Sequence, residues 1–315
     1  MQVRVQSTRR TADDIVAVEL VSLTDDALPA FEAGAHIDIQ LPGSITRQYS
    51  ICNAPQDRSR YVLGVLKARE SRGGSLAVHA LQQGDIIEIG KPRNQFSLAP
   101  KARHSILIAG GIGITPILSM AQALSAEDAS FELHYCVRAR GQIAFSEQLT
   151  SAALAAKVFI HVDSDQPANT LDLDGLLDRA APDIHLYVCG PVGFIEMVIE
   201  HAKRRAWAAE CLHREFFSPV ASSADDSSPF ELVIAGSCLR IPVASHETAL
   251  TALRSAGIDI PTACEQGICG TCLTHVVEGE PDHRDELLTE EEKARSDQFL
   301  PCCSRARTSR LVIDL

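Results

Sequence analysis

The sequence predicts a multidomain chain of β + α/β + α+β class, and three observations carry that prediction. Short alternating segments separated by turn residues fill the first hundred positions. From position 105, apolar runs alternate with helical stretches. Residues 218–229 then form a polar, proline-flanked tract that sets off a cysteine-rich C-terminal segment. The expected divisions are an antiparallel β-barrel over 1–101, an α/β domain with a parallel sheet over 102–217, a linker over 218–229 and a small α+β domain over 230–315. A chain of 315 residues suits two or three domains of about 100–200 residues each.

In the first segment, residues 35–41 read Ala-His-Ile-Asp-Ile-Gln-Leu, the strict alternation of a half-buried strand. Residues 61–66 and 85–89 are further short strands, punctuated by Gly84 and Pro92. Several such strands with turns between them suggest a small barrel. Arg47-Gln-Tyr-Ser50 places a permanent cation, an aromatic plate and a hydroxyl donor within four residues. On a strand Arg47 and Tyr49 share one face. That set can hold a flavin, with Arg47 on its phosphate, Tyr49 against the ring and Ser50 near N5. Arg72-Gly-Gly-Ser75 precedes a short helix over 76–81 and offers a second anion site. Each tetrapeptide alone is a weak signal that reads more safely as an ordinary strand or turn, and its order with the later motifs makes the case.

In the second segment, residues 105–109 are a buried strand, Gly110-Gly-Ile-Gly113 is a turn, and Thr115-Pro116 opens a helix to about 124. Residues 131–137 and 185–189 are further strands, and 192–205 a helix, so the sheet should be parallel. Gly110, Gly111 and Gly113 let backbone approach a pyrophosphate, while the helix start supplies N–H groups. Thr115 is the expected N-cap and Pro116 the first helical residue. The third glycine of the dinucleotide fingerprint is missing, so a tight turn without a ligand competes. Cys189-Gly-Pro191 ends a later strand, where a thiol either touches a nicotinamide ring or packs before a turn. Val137 is followed by Arg138 and Arg140 rather than an acid, and an Arg there can accept a 2′-phosphate.

In the third segment, residues 230–235 and 238–243 pair as a hairpin around Gly236-Ser237, which suits a type II′ turn. Residues 247–255 are helical with Gly257 as the stop. Thr289-Glu-Glu-Glu292 is a capping box, and residues 310–315 close the sheet. Cys264-Glu-Gln-Gly-Ile-Cys269-Gly-Thr-Cys272 followed by a distant Cys302 is the plant-type [2Fe-2S] spacing. Three thiolates on one loop wrap two irons, and a fourth from a separate element closes the cage. Gly267 and Gly270 let the loop turn sharply and bring N–H groups toward the sulfurs. A structural zinc site also uses four cysteines, but normally as two close pairs, and one such pair exists here. Cys302 and Cys303 are adjacent, so one is not a ligand; Cys302 is expected and Cys303 is the alternative. A chain with such a cluster moves single electrons.

The net charge of −12 argues against nucleic acid or an anionic membrane as partner. From Pro229 onward there are 14 acidic and 8 basic side chains, with nine of the acids in 278–297. That run is either a solvated face or a docking surface for a basic redox partner. No apolar run approaches the ~20 residues that span a bilayer. The first residues lack a signal-peptide core, so a cytoplasmic location is expected. Ten cysteines do not suggest a disulfide framework here. Cys52, Cys136, Cys211 and Cys238 are scattered and read as small buried hydrophobes.

Taken in order, Arg47-x-Tyr49-Ser50, Arg72-Gly-Gly-Ser75, the stretch from Gly110 to Pro116 and Cys189-Gly-Pro191 resemble the ferredoxin–NADP reductase superfamily. With a plant-type ferredoxin behind them, the chain resembles the phthalate dioxygenase reductase / vanillate O-demethylase reductase family, the reductases of Rieske oxygenase systems. Residues 33–38 and Asp282-His-Arg-Asp285 look like the same subgroup. The resemblance implies a flavin-binding β-barrel, a nucleotide-binding domain and a β-grasp-like 2Fe-2S ferredoxin domain. It implies FMN, NADH and a [2Fe-2S] cluster, with electrons leaving to a Rieske-type terminal oxygenase of aromatic compounds, and a monomer.

By the same resemblance Ser50, Thr115 and Cys189 are the catalytic residues. Arg47, Gln48, Tyr49, Val65, Lys67, Gly73, Gly74 and Ser75 would hold the flavin, and Phe217 would stack on a ring. Gly110, Gly111, Gly113, Thr115, Pro116, Arg138, Cys189, Gly190 and Pro191 would hold the nucleotide, and Cys264, Cys269, Cys272 and Cys302 the irons. On the residues alone, FMN against FAD and NADH against NADPH stay open. A competing reading is a stand-alone flavin reductase with a zinc-bound C-terminal interaction module.

Overall fold

Six strands open the chain: β1 (Gln2–Ala12), β2 (Ile15–Ser22), β3 (His36–Leu41), β4 (Ile45–Ser50), β5 (Tyr61–Leu66) and β6 (Ile86–Ile89), with α1 (Gly74–His79) between the last two. In this computed structural model the described residues are 1–315 apart from 25, 43–44, 69–72, 166–168, 218–227, 238, 246, 263–264, 266, 268–269 and 286. All pairings are antiparallel, in the order β4-β3-β6-β1-β2-β5. The two ends meet where Ile51 bridges Leu63 and the Cys52 N–H donates to the Val62 carbonyl at 2.8 Å, so the sheet closes as a barrel. Alternation does what it should: Ile37, Ile39 and Leu41 turn inward and join Val3, Leu20, Leu63 and Ile89 in the barrel core. Each such side chain contributes roughly 1.5–3 kcal/mol by leaving water. α1 begins two residues before the expected 76–81 because Ala77 N–H already donates to the Gly73 carbonyl at 2.9 Å.

Five strands follow: β7 (His104–Gly110), β8 (Phe131–Val137), β9 (Val158–Val162), β10 (Ile184–Gly190) and β11 (Leu212–Phe216). They form a parallel sheet in the order β11-β10-β7-β8-β9, with α2 (Ile114–Ala126), α3 (Ser146–Leu149), α4 (Leu173–Leu177) and α5 (Val192–Arg204) in the connections. The order reverses between β7 and β10, which opens a crevice at their carboxyl ends. α2 is buried over most of its length, and its polar residues are satisfied across the chain. Ser119 Oγ donates to the Asn53 carbonyl at 2.9 Å, and Gln122 Nε2 to the Cys52 carbonyl at 2.8 Å. One apolar core runs from Ile15, Val62 and Phe96 of the barrel side to Ile117, Leu118 and Tyr135 of the parallel sheet. Both sheets thus lie in one unit, Met1–Phe217.

Thr115 corrects an expectation. Helix α2 starts at Ile114 with Gly113 as its cap and no side-chain cap bond. The Thr115 hydroxyl donates backward to the Ile112 carbonyl at 3.1 Å instead of accepting from an N–H, and Pro116 stands in the first turn two positions deeper than predicted.

The second unit, Ser218–Leu315, holds β12 (Phe230–Ile234), β13 (Arg240–Val243), α6 (Ala249–Ser255), β14 (Thr274–Glu278), β15 (Pro281–Asp282), α7 (Glu290–Arg295), β16 (Gln298–Phe299), β17 (Arg305–Ala306) and β18 (Arg310–Asp314). Its mixed sheet runs β13-β12-β18-β14-β16, with β12 and β18 parallel and the rest antiparallel, and β15 pairs with β17. That is a β-grasp arrangement, with α6 packing Ala249, Ala252 and Leu253 onto the sheet core. Thr289 and Glu292 form the predicted capping box of α7. The β12–β13 turn differs from the expected II′ form. Ile234 N–H still donates to Leu239 at 3.0 Å, and Ser237 N–H donates back to Ile234 at 3.4 Å. Gly236 therefore takes its φ of +77° in the third turn position, where II′ needs the left-handed residue in the second. Of the predicted linker, residues 218–227 lie outside the described residues, as does Cys238.

Candidate functional site

The two glycine-bearing motifs of the parallel sheet meet at the reversal of strand order. Cys189 pairs with Ala109 across β10 and β7, which brings Gly110 beside Gly190. Gly113 lies so close that a Cβ there would overlap the Cys189 carbonyl. The loop can approach because no side chain intervenes. Gly111, by contrast, has φ of +54° and nothing within 4 Å of a Cβ, so its backbone opens on free space. That space is a cavity of about 970 Å³ lined by Gly110, Gly111, Arg138, His161, Pro191 and Phe194, with Asp13, Ile15 and Leu66 from the barrel side. Its size and mixed lining suit a dinucleotide. The charged lining residues are Arg138 against Asp13, Asp163, Asp172 and Asp174. His161 Nε2 lies 3.0 Å from His134 Nδ1, and burial keeps its imidazole below the usual histidine range.

On the barrel side, Arg47 and Gly74 come together from separate motifs. A Cβ on Gly74 would stand 2.6 Å from Arg47 Cγ and 2.8 Å from its Nε, so the guanidinium stem lies directly over the start of α1. Gly73 has φ of +89°, and Ser75 Oγ accepts from Ala68 N–H at 3.2 Å; Arg72 lies outside the described residues. Tyr49 packs against the barrel core, and burial pushes its phenol up to about 12. Gln48 points to the other face and donates to Asp38 at 3.0 Å, where Arg93 is also bound. Val65 is buried in the barrel core, with its carbonyl 3.0 Å from His79 Nε2, while Lys67 is exposed and donates its N–H to Asp14 at 2.7 Å. Phe217 is half-buried against the core shared by the two sheets.

Between these two halves stands a residue that the sequence reading missed. Ser50 Oγ donates to Glu215 Oε2 at 3.4 Å, and Glu215 pairs with Cys189 across β11 and β10. Burial pushes the Glu215 carboxyl up to about 8, so it keeps its proton at neutral pH. Burial and the neighbouring Glu215 likewise hold the Cys189 thiol well above its ordinary value. Ser50, Cys189 and Glu215 thus converge as neutral hydrogen-bonding groups. The available signal was the acid before Phe216-Phe217 at the carboxyl end of a strand, where functional groups gather in such sheets.

In the second unit, Cys272 and Cys302 are buried in one apolar cluster with Leu250, Leu288 and Leu300. Cys302 shares that cluster with Cys272, and Cys303 packs against it. Cys303 differs: its Sγ turns to the Leu300 carbonyl at 3.8 Å and to Ser304 Oγ at 3.7 Å, under Gly267. Gly267 and Gly270 have φ of +76° and +73°, the turn geometry expected of the cysteine loop. Cys264 and Cys269 lie outside the described residues. Two converging thiols in an apolar setting are the donor chemistry that a [2Fe-2S] centre requires.

Comparison with known proteins agrees with this geometry. Residues 107–200 match the oxidoreductase NAD-binding domain family, and residues 232–307 the 2Fe-2S iron-sulfur cluster binding domain family. The chain is 48% identical over 318 residues to the vanillate O-demethylase oxidoreductase of Pseudomonas sp. (strain HR199 / DSM 7063), covering 100% of both. It is 37% identical over 317 residues to the phthalate dioxygenase reductase of Burkholderia cepacia, covering 100% of this chain and 97% of that one. The solved structure of phthalate dioxygenase reductase, titled a modular structure for electron transfer from pyridine nucleotides to [2Fe-2S], matches with a TM-score of 0.78 at 36% identity, over 100% of this chain and 98% of that chain. An intact type IV self-sufficient cytochrome P450 monooxygenase matches with a TM-score of 0.82 at 36% identity, over 100% of this chain and 41% of that one. At this identity over its whole length, the chain belongs to the vanillate O-demethylase oxidoreductase and phthalate dioxygenase reductase family, an oxidoreductase with an NAD-binding domain and a C-terminal 2Fe-2S domain.

Proposed function

We propose that the chain is the reductase component of a two-component, Rieske-type oxygenase, taking electrons from NADH through FMN and a [2Fe-2S] cluster to the oxygenase. The observation that carries the reading is the order of three sites in one chain: an Arg47–Gly74 anion cradle, a glycine-lined crevice between β7 and β10, and a buried Cys272–Cys302 pair. Flavin, when bound, takes two electrons as hydride and yields them singly, and the cluster accepts one at a time. The chain's own residues hold, orient and shield.

Arg47 supplies a permanent cation to the flavin phosphate, and Tyr49 an aromatic face. Ser50, whose hydroxyl is fixed by Glu215, presents a hydrogen-bonding group where the two halves of the first unit meet. Glu215 holds its proton at Oε2 or Oε1 at neutral pH, and so places no fixed negative charge beside an incoming hydride. Gly111 offers bare backbone to the pyrophosphate, and Gly113 lets the glycine loop close on the strand end at Cys189. The excess of carboxylates over Arg138 in the cavity supports NADH over a dinucleotide with an extra 2′-phosphate. Cys264, Cys269, Cys272 and Cys302 are the assigned iron ligands, supported by the burial of Cys272 and Cys302 in one apolar cluster.

The first 101 residues form the FMN domain in this reading, 102–217 the NADH domain and 230–315 the ferredoxin domain, joined by 218–229. In this reading the protein acts in the cytoplasm as a monomer; among the described residues no helix is long and apolar enough to cross a membrane. Purified protein should be yellow-brown, contain two irons and two acid-labile sulfides per chain, and reduce cytochrome c with NADH. A colourless protein containing zinc would defeat the reading.

A further inference from the structure

We propose that residues 140–145 form a clamp that sets the gap across which hydride passes, with Phe145 as its positioning residue; the inference rests on the electron-transfer reading above. The segment leaves the crevice behind Arg138 and reaches across to the barrel. Asp13 N–H donates to the Gly141 carbonyl at 2.8 Å, and Phe145 N–H donates to Thr11 Oγ1 at 2.8 Å. Gly141 has no side chain where one would overlap the Asp13 carboxylate. The segment thus grips the turn between β1 and β2, and Asp13 of that turn and Ile15, which opens β2, line the nucleotide cavity. At its other end Arg140 is held by Asp165 through two bonds of 2.9 and 2.6 Å, and beside Phe145 the Ala144 N–H donates to the Tyr135 hydroxyl at 3.3 Å.

Phe145 ends the segment in an unusual state. It is 1% exposed and has φ of 57° and ψ of 33°, the left-handed region that a bulky side chain seldom enters. Such a conformation persists only where the surroundings over-determine it, and it concentrates where geometry matters for function. Its ring is seated on Gly64 of β5, with Cε2 and Cζ at 2.9 and 3.0 Å from where a Cβ would stand. Thr115 Cγ2, from the helix that follows the glycine loop, lies 2.6 Å from the same point. Three segments therefore meet on one bare Cα: a barrel strand, the start of α2 and the clamp. A change at Phe145 alters how far α2 stands from the barrel and leaves Arg47, Gly74 and Gly111 in place.

The test uses holoenzyme carrying Phe145→Leu or Gly64→Ala, the second adding a methyl to the same contact from the barrel wall. Flavin content, the NADH dissociation constant, the rate of flavin bleaching by NADH, and the long-wavelength charge-transfer absorbance of reduced protein with NAD+ are measured. Since about 1 Å of misplacement can cost ~10²-fold in rate, bleaching should slow by at least ~10-fold and the charge-transfer band should weaken, with NADH affinity within about twofold. Unchanged bleaching and band, or a rate that falls only as NADH affinity falls, would overturn the clamp while leaving the functional reading intact. Wild-type protein that NADH fails to bleach would overturn both. If Phe145→Leu does not fold, Gly64→Ala decides alone by the same criteria.

Discussion

Replacing Glu215 with Gln should change how stability depends on pH. In the folded protein, burial pushes this carboxyl from an ordinary 4.5 to about 8. The unfolded chain gives up the proton near 4.5, while the native state keeps it until about 8. Between those values the native state binds more protons, so stability falls as pH rises and levels off above about 8. At 1.36 kcal/mol per pH unit, the whole penalty is about 5 kcal/mol, of which about 3 kcal/mol develops between pH 6 and 9. Glutamine keeps an oxygen to accept from Ser50 but has no proton to lose.

The assay is urea unfolding followed by the fluorescence of Trp207, the chain's single tryptophan, which lies in the first unit with its Nε1–H on the Leu177 carbonyl at 2.8 Å. The stability gap between Glu215→Gln and wild type should widen by about 3 kcal/mol from pH 6 to pH 9. A gap of constant size would show that Glu215 is ionised in the native state, and the neutral Ser50–Cys189–Glu215 arrangement would be wrong.

Two further outcomes follow from the two cofactor cradles. Cys302→Ser should lose cluster absorbance and cytochrome c reduction while keeping ferricyanide reduction, which the flavin supports alone; a normal cluster in Cys302→Ser together with its loss in Cys303→Ser would reverse the ligand assignment. Gly74→Ala drives a methyl to 2.6 Å from Arg47 Cγ, so the guanidinium must move. A charged hydrogen bond is worth about 1.5–3 kcal/mol, so FMN affinity measured by fluorescence titration should fall by at least ~10-fold, and an unchanged dissociation constant would contradict the cradle.

Periodicity made most of the architecture legible. The alternation of 35–41 became β3, the runs at 61–66 and 131–137 became β5 and β8 with the same bounds, and the spacing at 289–292 gave a true capping box. Local rules failed where tertiary contacts compete. Thr115 has the side chain of an N-cap, but Gly113 presses against Cys189, and the helix starts two residues earlier with the hydroxyl turned to Ile112. Gly236 marked a turn correctly, yet the loop length that fixes its type depends on where β12 and β13 stop pairing. In the site, glycines and cysteines announced themselves because few other residues can do their work. Glu215 did not, since nothing local says that Ser50, 165 positions away, will meet it. Asp13 and Phe145 were hidden for the same reason: their roles exist only once the barrel packs on the parallel sheet.

The most direct test is anaerobic addition of NADH to purified protein, with visible absorbance and cryogenic EPR recorded on the same samples. The account predicts that NADH alone bleaches the flavin and raises the rhombic S = 1/2 signal of a reduced [2Fe-2S] cluster. A flavin bleached by NADH beside a cluster that gives its signal only with dithionite would contradict it, for the sites would then exist without the electron path that joins them.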